Sequence, residues 1–244
     1  MDKSIIEIRN LDYKYPDGTV ALHDIHLDIF KNDKIGIIGP NGAGKTTLLL
    51  HLNGLLNGSG AIKISDLDLV DKNLNQIRKD VGLVFQDPED QLFMPTVAED
   101  VGFGPKNLGF KKQDLEDIVD NALDEVELKD KKEHLSYHLS FGEKKRIAIA
   151  CVLSMKPKIL LLDEPSSNLD PHARRQIIKL LRKFNSTVII ASHDLELILE
   201  LCQRVIILDK GRVVSDGKTR HMLSDENLLE SHGLELPLSI RYKN

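Results

Sequence analysis

The residues best suited to chemistry in this sequence form a glycine-rich segment at positions 39–46, which reads G-x-x-x-x-G-K-T. An apolar, β-branched run at 35–38 precedes it and good helix formers at 47–52 follow it, which is the order that a phosphate-binding loop requires. Glycines let backbone N–H groups curl around an anion, and the helix N-terminus adds a partial positive charge. We therefore expect a nucleoside triphosphate to contact Gly39, Pro40, Asn41, Gly42, Ala43, Gly44, Lys45, Thr46 and Thr47.

Two side chains of this segment have distinct expected roles. Lys45 can reach the β- and γ-phosphates, and the Thr46 hydroxyl is placed to bind Mg²⁺. The alternative is a chance glycine turn before a helix, and the strand and helix patterns on either side argue against it.

A pair of adjacent carboxylates, Asp163 and Glu164, follows the apolar run 159–162. Four consecutive apolar residues are typical of a buried parallel strand, and open α/β sheets bind ligands at the carboxyl ends of such strands. Asp163 would hold Mg²⁺, usually through water, and Glu164 would polarise an attacking water as a general base. Such a pair also ends many strands as a helix cap, but the phosphate loop in the same chain favours the catalytic interpretation.

The segment LSFGE at residues 139–143, just before the carboxylate strand, resembles the LSGGQ signature of ATP-binding-cassette (ABC) ATPases, and the resemblance covers nearly the whole chain. Gln86 follows its strand as the Q-loop glutamine does, residues 167–170 match the D-loop, and His193 matches the switch histidine. Taken singly, Gln86 could be a plain strand end and His193 a capped core histidine. The ordered set favours the family interpretation.

The same resemblance indicates how the adenine base is held. Tyr15, directly before the turn at 16–18, looks like the aromatic residue that stacks on adenine, and Tyr13 is the second choice. The alternative for Tyr15 is an ordinary packing aromatic.

The resemblance also implies that the site is completed by a second subunit. In the family, two ATP molecules with Mg²⁺ are sandwiched between one chain's phosphate loop and the other chain's signature loop. Ser140 and the Gly142 N–H would then contact the γ-phosphate of the ATP held by the partner. Gln86 would contact Mg²⁺ and sense the transporter, and His193 would hydrogen-bond the γ-phosphate or the attacking water. Because Glu164 and His193 are both present, an active ATPase is implied.

The signature departs from the family pattern at two positions. Phe141 replaces the first glycine and Glu143 replaces glutamine, while Gly142 remains. A carboxylate at Glu143 is unfavourable beside ATP unless it points away or pairs with Lys144 or Lys145.

The segment after Gln86 resembles a particular branch of the family. Residues 85–93 and 95–105 are similar to the ATPase subunits of energy-coupling-factor (ECF) uptake transporters, especially the cobalt and nickel branch. In that branch the segment after the glutamine receives helices of the membrane subunit. Exposed side chains at Leu92 and Phe93, together with Gln91, would suit docking of such a helix. The alternative is that Leu92 and Phe93 are ordinary core.

The elements that position these residues are those of an α/β protein with a helical insertion. Residues from about Thr96 to Leu153 are charged and helical in spacing, with Ile118, Ala122, Leu123 and Val126 on one face. Short runs with strand character lie at 5–8, 21–30, 61–64, 81–85, 159–162, 187–190 and 205–208.

With the resemblance, this pattern predicts a P-loop NTPase (ABC ATPase) core that has an N-terminal antiparallel β subdomain and an inserted α-helical subdomain. The expected boundaries are approximately 1–86 and 157–220 for the catalytic α/β lobe and 87–156 for the helical lobe with the signature. Residues 221–244 would be a C-terminal tail, where alternating leucines indicate packing or a small contact.

Composition and charge narrow the class of protein further. The chain has 244 residues and a formal net charge of −5, which argues against a general nucleic-acid binder. Cys151 and Cys202 lie in apolar runs and are expected to be buried small hydrophobes. The histidine pairs 23/26 and 134/138 have no third ligand at useful spacing, so a transition-metal site is not expected. Because apolar stretches of about 18 residues are lacking, any membrane link must come through a partner.

The expected function is therefore that of an ATPase subunit, peripheral on the cytoplasmic face of the cell membrane. Its partners would be a second ATPase subunit, identical or paralogous, and integral membrane transporter subunits. One alternative is the motor of another ABC system, for efflux or binding-protein-dependent import. Another is an ABC ATPase acting on nucleic acid, although such proteins typically carry two cassettes or a long coiled-coil insertion.

Overall fold

The computed structural model describes residues 3–242, and the apolar runs of the sequence become its strands. The strands are β1 (Ser4–Lys14), β2 (Val20–Phe30), β3 (Lys34–Ile38), β4 (Ser59–Ile64), β5 (Leu67–Asp68), β6 (Val81–Val84), β7 (Ile159–Asp163), β8 (Thr187–Ala191), β9 (Arg204–Asp209) and β10 (Arg212–Lys218).

The strands form two sheets. An antiparallel sheet has the order β2-β1-β4-β5, and a six-stranded sheet has the order β10-β9-β3-β8-β7-β6, parallel except for the β9–β10 pair. β1 and β2 have 11 residues each; β1 extends well beyond the run 5–8 that the sequence indicates, whereas β2 nearly coincides with the run 21–30. The β1–β2 pair shifts register near Asn10 and Asp24, whose left-handed backbones form bulges and let the strands continue past polar positions.

Three helices between β6 and β7 form the inserted helical region. They pack around a cluster of their own that includes Val101, Leu123 and Ile147, each wholly buried. All the helices of residues 3–242, apart from short 3₁₀ turns, are α1 (Lys45–Leu52), α2 (Leu74–Asp80), α3 (Val97–Asn107), α4 (Lys112–Glu125), α5 (Phe141–Leu153), α6 (Pro171–Lys183), α7 (Leu195–Leu201), α8 (Thr219–Met222), α9 (Glu226–Ser231) and α10 (Leu238–Arg241).

The central strands of the six-stranded sheet are buried on both faces, so they are apolar along most of their length. One face packs against α1 and the antiparallel sheet, and the other packs against α5, α6 and α7. The carboxyl ends of β6, β7 and β8 consequently lie side by side at one edge, next to the N-terminus of α1.

The segment after β10 packs on the catalytic lobe. Leu229 and Leu234 are buried in the same cluster as α6 and α7, whereas Leu238 is exposed.

Of the two cysteines, Cys202 is buried and Cys151 is half-buried. Burial raises the pKa of both thiols, that of Cys202 to about 12. Within residues 3–242, no helix combines the length and the apolar character needed to cross a bilayer.

Candidate nucleotide-binding and catalytic site

The glycine loop leaves open space in front of α1. Gly44, the residue that caps α1, has a φ of 102°, and a Cβ there would lie 2.4 Å from the carbonyl oxygen of Ala21. Gly42 also has a positive φ, yet a Cβ on it would meet none of the described residues within 4 Å. The loop backbone thus faces a free volume at a helix N-terminus, which is the arrangement that binds anions.

Lys45 lies inside this loop. Its side chain is nearly buried, and its ammonium donates to the carbonyl oxygens of Gly39 at 2.8 Å and Pro40 at 3.1 Å. Burial lowers the pKa of Lys45, and the nearby Glu164 and Asp163 carboxylates act in the opposite direction. A cation is therefore held at the loop where phosphates would bind.

Replacing this lysine is expected to weaken nucleotide binding itself. A charge-assisted contact is worth about 1.5–3 kcal/mol, so Lys45→Ala should raise the Kd for ATP roughly 10- to 100-fold. Titration of the purified protein with a fluorescent ATP analogue measures the change, and Lys72→Ala, on the surface of the same lobe, is the control. Unchanged affinity in Lys45→Ala would place the lysine outside the phosphate site.

Asp163 ends β7 and has a buried oxygen in need of a partner. Its Oδ1 accepts no hydrogen bond from residues 3–242. Burial raises the pKa of this carboxyl, while the nearby Thr46 hydroxyl and the charge of Lys45 oppose the shift. Mg²⁺ is a hard cation that takes oxygen ligands, so a buried carboxylate beside a hydroxyl fits it, and a bound cation would favour the ionised carboxylate.

Glu164 and His193 form one hydrogen-bonded unit at the ends of neighbouring strands. Glu164 has a left-handed backbone with a φ of 44°, which is uncommon for a residue with a side chain. Its carboxylate accepts from the Ser192 hydroxyl at 2.9 Å and from the His193 N–H at 3.0 Å. The His193 Nδ1 lies 2.8 Å from the Glu164 Oε2. Strain of this kind often occurs at functional sites.

A cavity of about 420 Å³ joins most of the predicted nucleotide residues to the predicted catalytic residues. At one end, the Tyr15 hydroxyl lies 3.0 Å from the Thr47 hydroxyl, and the Tyr15 ring meets the Tyr13 ring edge-on. Stacking of Tyr15 on adenine remains a prediction. The cavity is lined by Tyr15, Thr19, Val20, Ala21, Asn41, Gly42, Ala43, Gly44, Lys45, Thr46, Thr47, Gln86, Glu164 and His193.

The signature residues lie elsewhere. Among the described residues, those that line the cavity do not include Ser140 or Gly142. Ser140 is exposed and caps the N-terminus of α5. A Cβ on Gly142 would come within 2.8 Å of the Ala173 Cβ on α6. The close packing of α5 on α6 is therefore a second reason for a glycine here, besides the expected approach of a phosphate.

Glu143 has a different partner from the two lysines considered for it. Its Oε2 accepts from the Ser140 hydroxyl at 2.7 Å and from the Ser140 N–H at 2.9 Å, which closes a capping box. Lys144 instead contacts Glu89, and Lys145 donates to the carbonyl oxygens of Gln86 and Glu164, so neither lysine pairs with Glu143. The physical reason is that the helix N-terminus supplies unpaired donors three residues away.

The three residues expected to dock a partner helix have different environments. Phe93 is 63% exposed and meets Phe103 edge-on. Gln91 donates to the Ala148 carbonyl at 2.7 Å and accepts from the Phe85 N–H at 3.3 Å. Leu92 is half-buried and packs against the cores of both lobes, so its environment lies between the exposed side chain and the ordinary core residue that the sequence allows. Its role in docking stays a prediction.

Two residues near the catalytic unit gave no signal in the sequence. Ser192, which bonds Glu164, reads as an ordinary residue before the switch histidine. The sequence indicates Lys145 only as a possible partner of Glu143, yet the lysine is fully buried. Burial lowers the pKa of Lys145 to about 8, against the opposing charges of Asp163, Glu164 and Asp87.

Comparison with known proteins identifies the family. The family model for the ABC transporter matches residues 22–167. A putative ABC transporter ATP-binding protein of Gloeobacter violaceus is 52% identical over 236 residues, covering 96% of this chain and 97% of the relative. The energy-coupling factor transporter ATP-binding protein EcfA of Methanococcus maripaludis is 46% identical over 240 residues, covering 96% of this chain and 86% of the relative.

Two solved structures share the fold over most of the chain. The structure of cbiO1 from Clostridium perfringens, part of the ABC transporter complex cbiONQ, has a TM-score of 0.83 and 36% identity and covers 98% of each chain. The ATP-binding cassette MJ0796, a dimer in a post-hydrolysis state bound to ADP and Pi, has a TM-score of 0.81 and 28% identity, covering 88% of this chain and 99% of that one. The predicted fold class is thereby confirmed. The chain belongs to the ABC transporter family, as an ATPase subunit that uses ATP with Mg²⁺.

Proposed function

We propose that this chain is the motor subunit of an ECF uptake transporter, peripheral on the cytoplasmic face of the membrane. The EcfA relative and the cbiO1 neighbour, each matched along nearly the whole chain, support this proposal. Cobalt or nickel ions are the proposed cargo, with a vitamin as the alternative. Another subunit would recognise the cargo.

Each residue around the cavity has a different role in the proposed hydrolysis of ATP. Glu164 accepts a proton from water as the water oxygen attacks the γ-phosphorus and the bond to the ADP oxygen breaks. His193, whose Nδ1 lies 2.8 Å from Glu164, orients the carboxylate and the water. Lys45 offsets the charge that develops on the phosphates. Mg²⁺, when bound through Thr46, Asp163 and Gln86, supplies further charge neutralisation.

A second ATPase subunit completes each site in this proposal. Ser140 is exposed on the helical lobe and lies apart from the cavity of its own chain. The MJ0796 cassette, which shares this fold, was solved as a dimer. The partner is either a second copy or a paralogue, and its ATP would meet Ser140 and the Gly142 N–H.

A groove between the two lobes carries the proposal of a membrane partner. It has a volume of about 610 Å³, with Leu83, Val152 and Met155 among the residues that line it. Phe93 and Phe103, 63% and 41% exposed, form an aromatic pair in its lining. An apolar floor with exposed aromatic side chains suits an amphipathic helix of an integral membrane subunit.

The groove is connected to the catalytic site through the backbone. Gln91 lines the groove and accepts from the Phe85 N–H, one residue before Gln86. Gln86 itself lines the nucleotide cavity. A helix that presses on the groove would therefore shift the residue proposed to contact Mg²⁺.

A charged side chain in the groove is expected to prevent this ATPase subunit from binding the membrane subunits. Phe93→Asp should leave basal ATP turnover within about twofold, since exposed substitutions away from special features cost little stability. It should abolish copurification with the membrane subunits and stimulation by them. Phe110→Asp is the matched control, because Phe110 is 47% exposed on the same lobe but does not line the groove. A Phe93→Asp protein that still assembles and transports would refute this docking surface.

The function itself is tested by reconstitution. The chain is copurified with its integral membrane subunits, the complex is placed in proteoliposomes, and ATP-driven uptake of labelled cobalt, nickel and vitamins is measured. Uptake of one of these supports the proposal. Copurification with an efflux subunit or with a binding-protein-dependent importer would contradict it and assign the chain to another ABC system.

A further inference from the structure

Lys145 is a fully buried lysine in the first part of α5, five positions after the signature serine. Lysine is almost never fully buried unless its charge is paired, because desolvation of an ammonium is costly. At Lys145 the partners are backbone carbonyls. Its Nζ donates to the carbonyl oxygen of Gln86 at 2.5 Å and to that of Glu164 at 2.9 Å.

These two carbonyls belong to the ends of neighbouring strands. Gln86 lies two residues after β6, Glu164 directly follows β7, and β6 pairs in parallel with β7. One ammonium therefore ties together two catalytic loops and the helix that begins at the signature. The Phe141 ring, one turn earlier on the same helix, lies 5.9 Å from Nζ and covers it.

The Glu164 backbone needs such support. Its φ of 44° is uncommon for a residue with a side chain, and conformations of this kind persist only where the surroundings hold them. The Ser167 hydroxyl and Lys145 both donate to the Glu164 carbonyl oxygen. Of the two, only Lys145 comes from the helical lobe.

We propose that Lys145 is a positioning residue for ATP hydrolysis, which sets the direction of the Glu164 carboxylate and links it to the orientation of the signature helix. Within residues 3–242, the Lys145 ammonium hydrogen-bonds neither the phosphate loop nor a carboxylate oxygen, and it acts through the backbone of Glu164 and Gln86. A movement of α5 thus displaces both catalytic loops together. The inference rests on the base role proposed for Glu164 and not on the identity of the transporter.

The first test separates positioning from nucleotide binding. Lys145→Met keeps the length of the side chain and removes the donors. Because a misplacement of about 1 Å at a reacting group can cost about 100-fold, kcat should fall roughly 10- to 100-fold. The Kd for a fluorescent ATP analogue should change less than about threefold, since the phosphate loop is untouched. Lys144→Met is the control for kcat, because the neighbouring lysine binds the surface residue Glu89.

The second test asks whether Lys145 acts through Glu164. In a double-mutant cycle, Lys145→Met added to Glu164→Gln should lower kcat less than about twofold further, because residues that act as a unit are not additive. A full and additive loss would show a general structural role and overturn the proposal. A normal kcat in Lys145→Met, or in Glu164→Gln alone, would also overturn the proposal.

Stability is measured alongside, so that a folding defect is not mistaken for a catalytic one. Lys145→Gln, shorter but still a hydrogen-bond donor, serves as a second variant in the same cycle if Lys145→Met melts early. Failure of the transport experiment would leave these outcomes unchanged, because kcat and Kd are measured on the ATPase alone.

Discussion

Glu164→Gln is expected to bind ATP with nearly normal affinity and to lose almost all turnover. Loss of a positioned general base typically lowers kcat by about 10²- to 10⁴-fold, or roughly 3–5 kcal/mol of barrier. Binding should persist because Lys45 and the glycine loop, the proposed phosphate site, are unchanged. Turnover is measured by phosphate release at saturating ATP, and binding by titration with a fluorescent analogue.

The structure indicates that Glu164→Gln changes the chemistry of this side chain more than its packing. The Glu164 carboxylate is nearly buried and accepts from Ser192 and from the His193 N–H, and an amide of the same shape retains one acceptor oxygen. The fold should therefore survive while the basic oxygen is lost. With hydrolysis stopped, ATP should hold two subunits together, which light scattering detects as a stable dimer.

Glu230→Gln is the matched control, since Glu230 is exposed on α9 in the C-terminal segment. It should show normal turnover. If Glu164→Gln instead hydrolyses ATP at a near-normal rate, Glu164 is not the base.

Ser140→Arg is expected to abolish both ATP-dependent pairing and turnover while the monomer still binds ATP. Ser140 is exposed on the helical lobe and lies outside the cavity of its own chain, so a bulky cation there leaves the chain's own phosphate loop intact. At the proposed interface the same side chain would fill the space meant for the partner's γ-phosphate. If each active site uses the partner's signature, as proposed, turnover should fall to the background level.

Pairing is best measured in the Glu164→Gln background, where ATP persists, by light scattering with and without ATP. Ser140→Arg also removes the capping box of α5, and loss of a cap costs about 1 kcal/mol of folding stability. A melting curve therefore accompanies the measurement. Ser140→Ala isolates that loss, and Ser224→Arg, on an exposed serine elsewhere, controls for added charge. Normal turnover by a folded Ser140→Arg protein would exclude the shared site.

Chemistry that depends on contiguous residues was readable from the sequence. The glycine loop at 39–46 and the carboxylate pair at 163–164 need only a strand before them, and apolar runs identify buried strands well. The ordered set of motifs also led to the fold class, including the antiparallel sheet and the helical insertion. Such patterns do not predict the environment of Leu92, because an apolar residue among polar ones can face either the solvent or the interface between the two lobes.

Contacts between distant segments were decided by tertiary structure alone. The pairing of β7 with β8 brings Asp163 opposite Ala191, and this register places Ser192 and His193 on Glu164, 28 and 29 positions away. The residues around Lys145 in the sequence are charged. Because the aliphatic part of a lysine side chain can lie at the surface or pack against apolar residues, the local sequence does not predict that Lys145 is buried. Only the approach of α5 to the ends of β6 and β7 turns that lysine inward, because the two carbonyl oxygens there compensate its lost hydration.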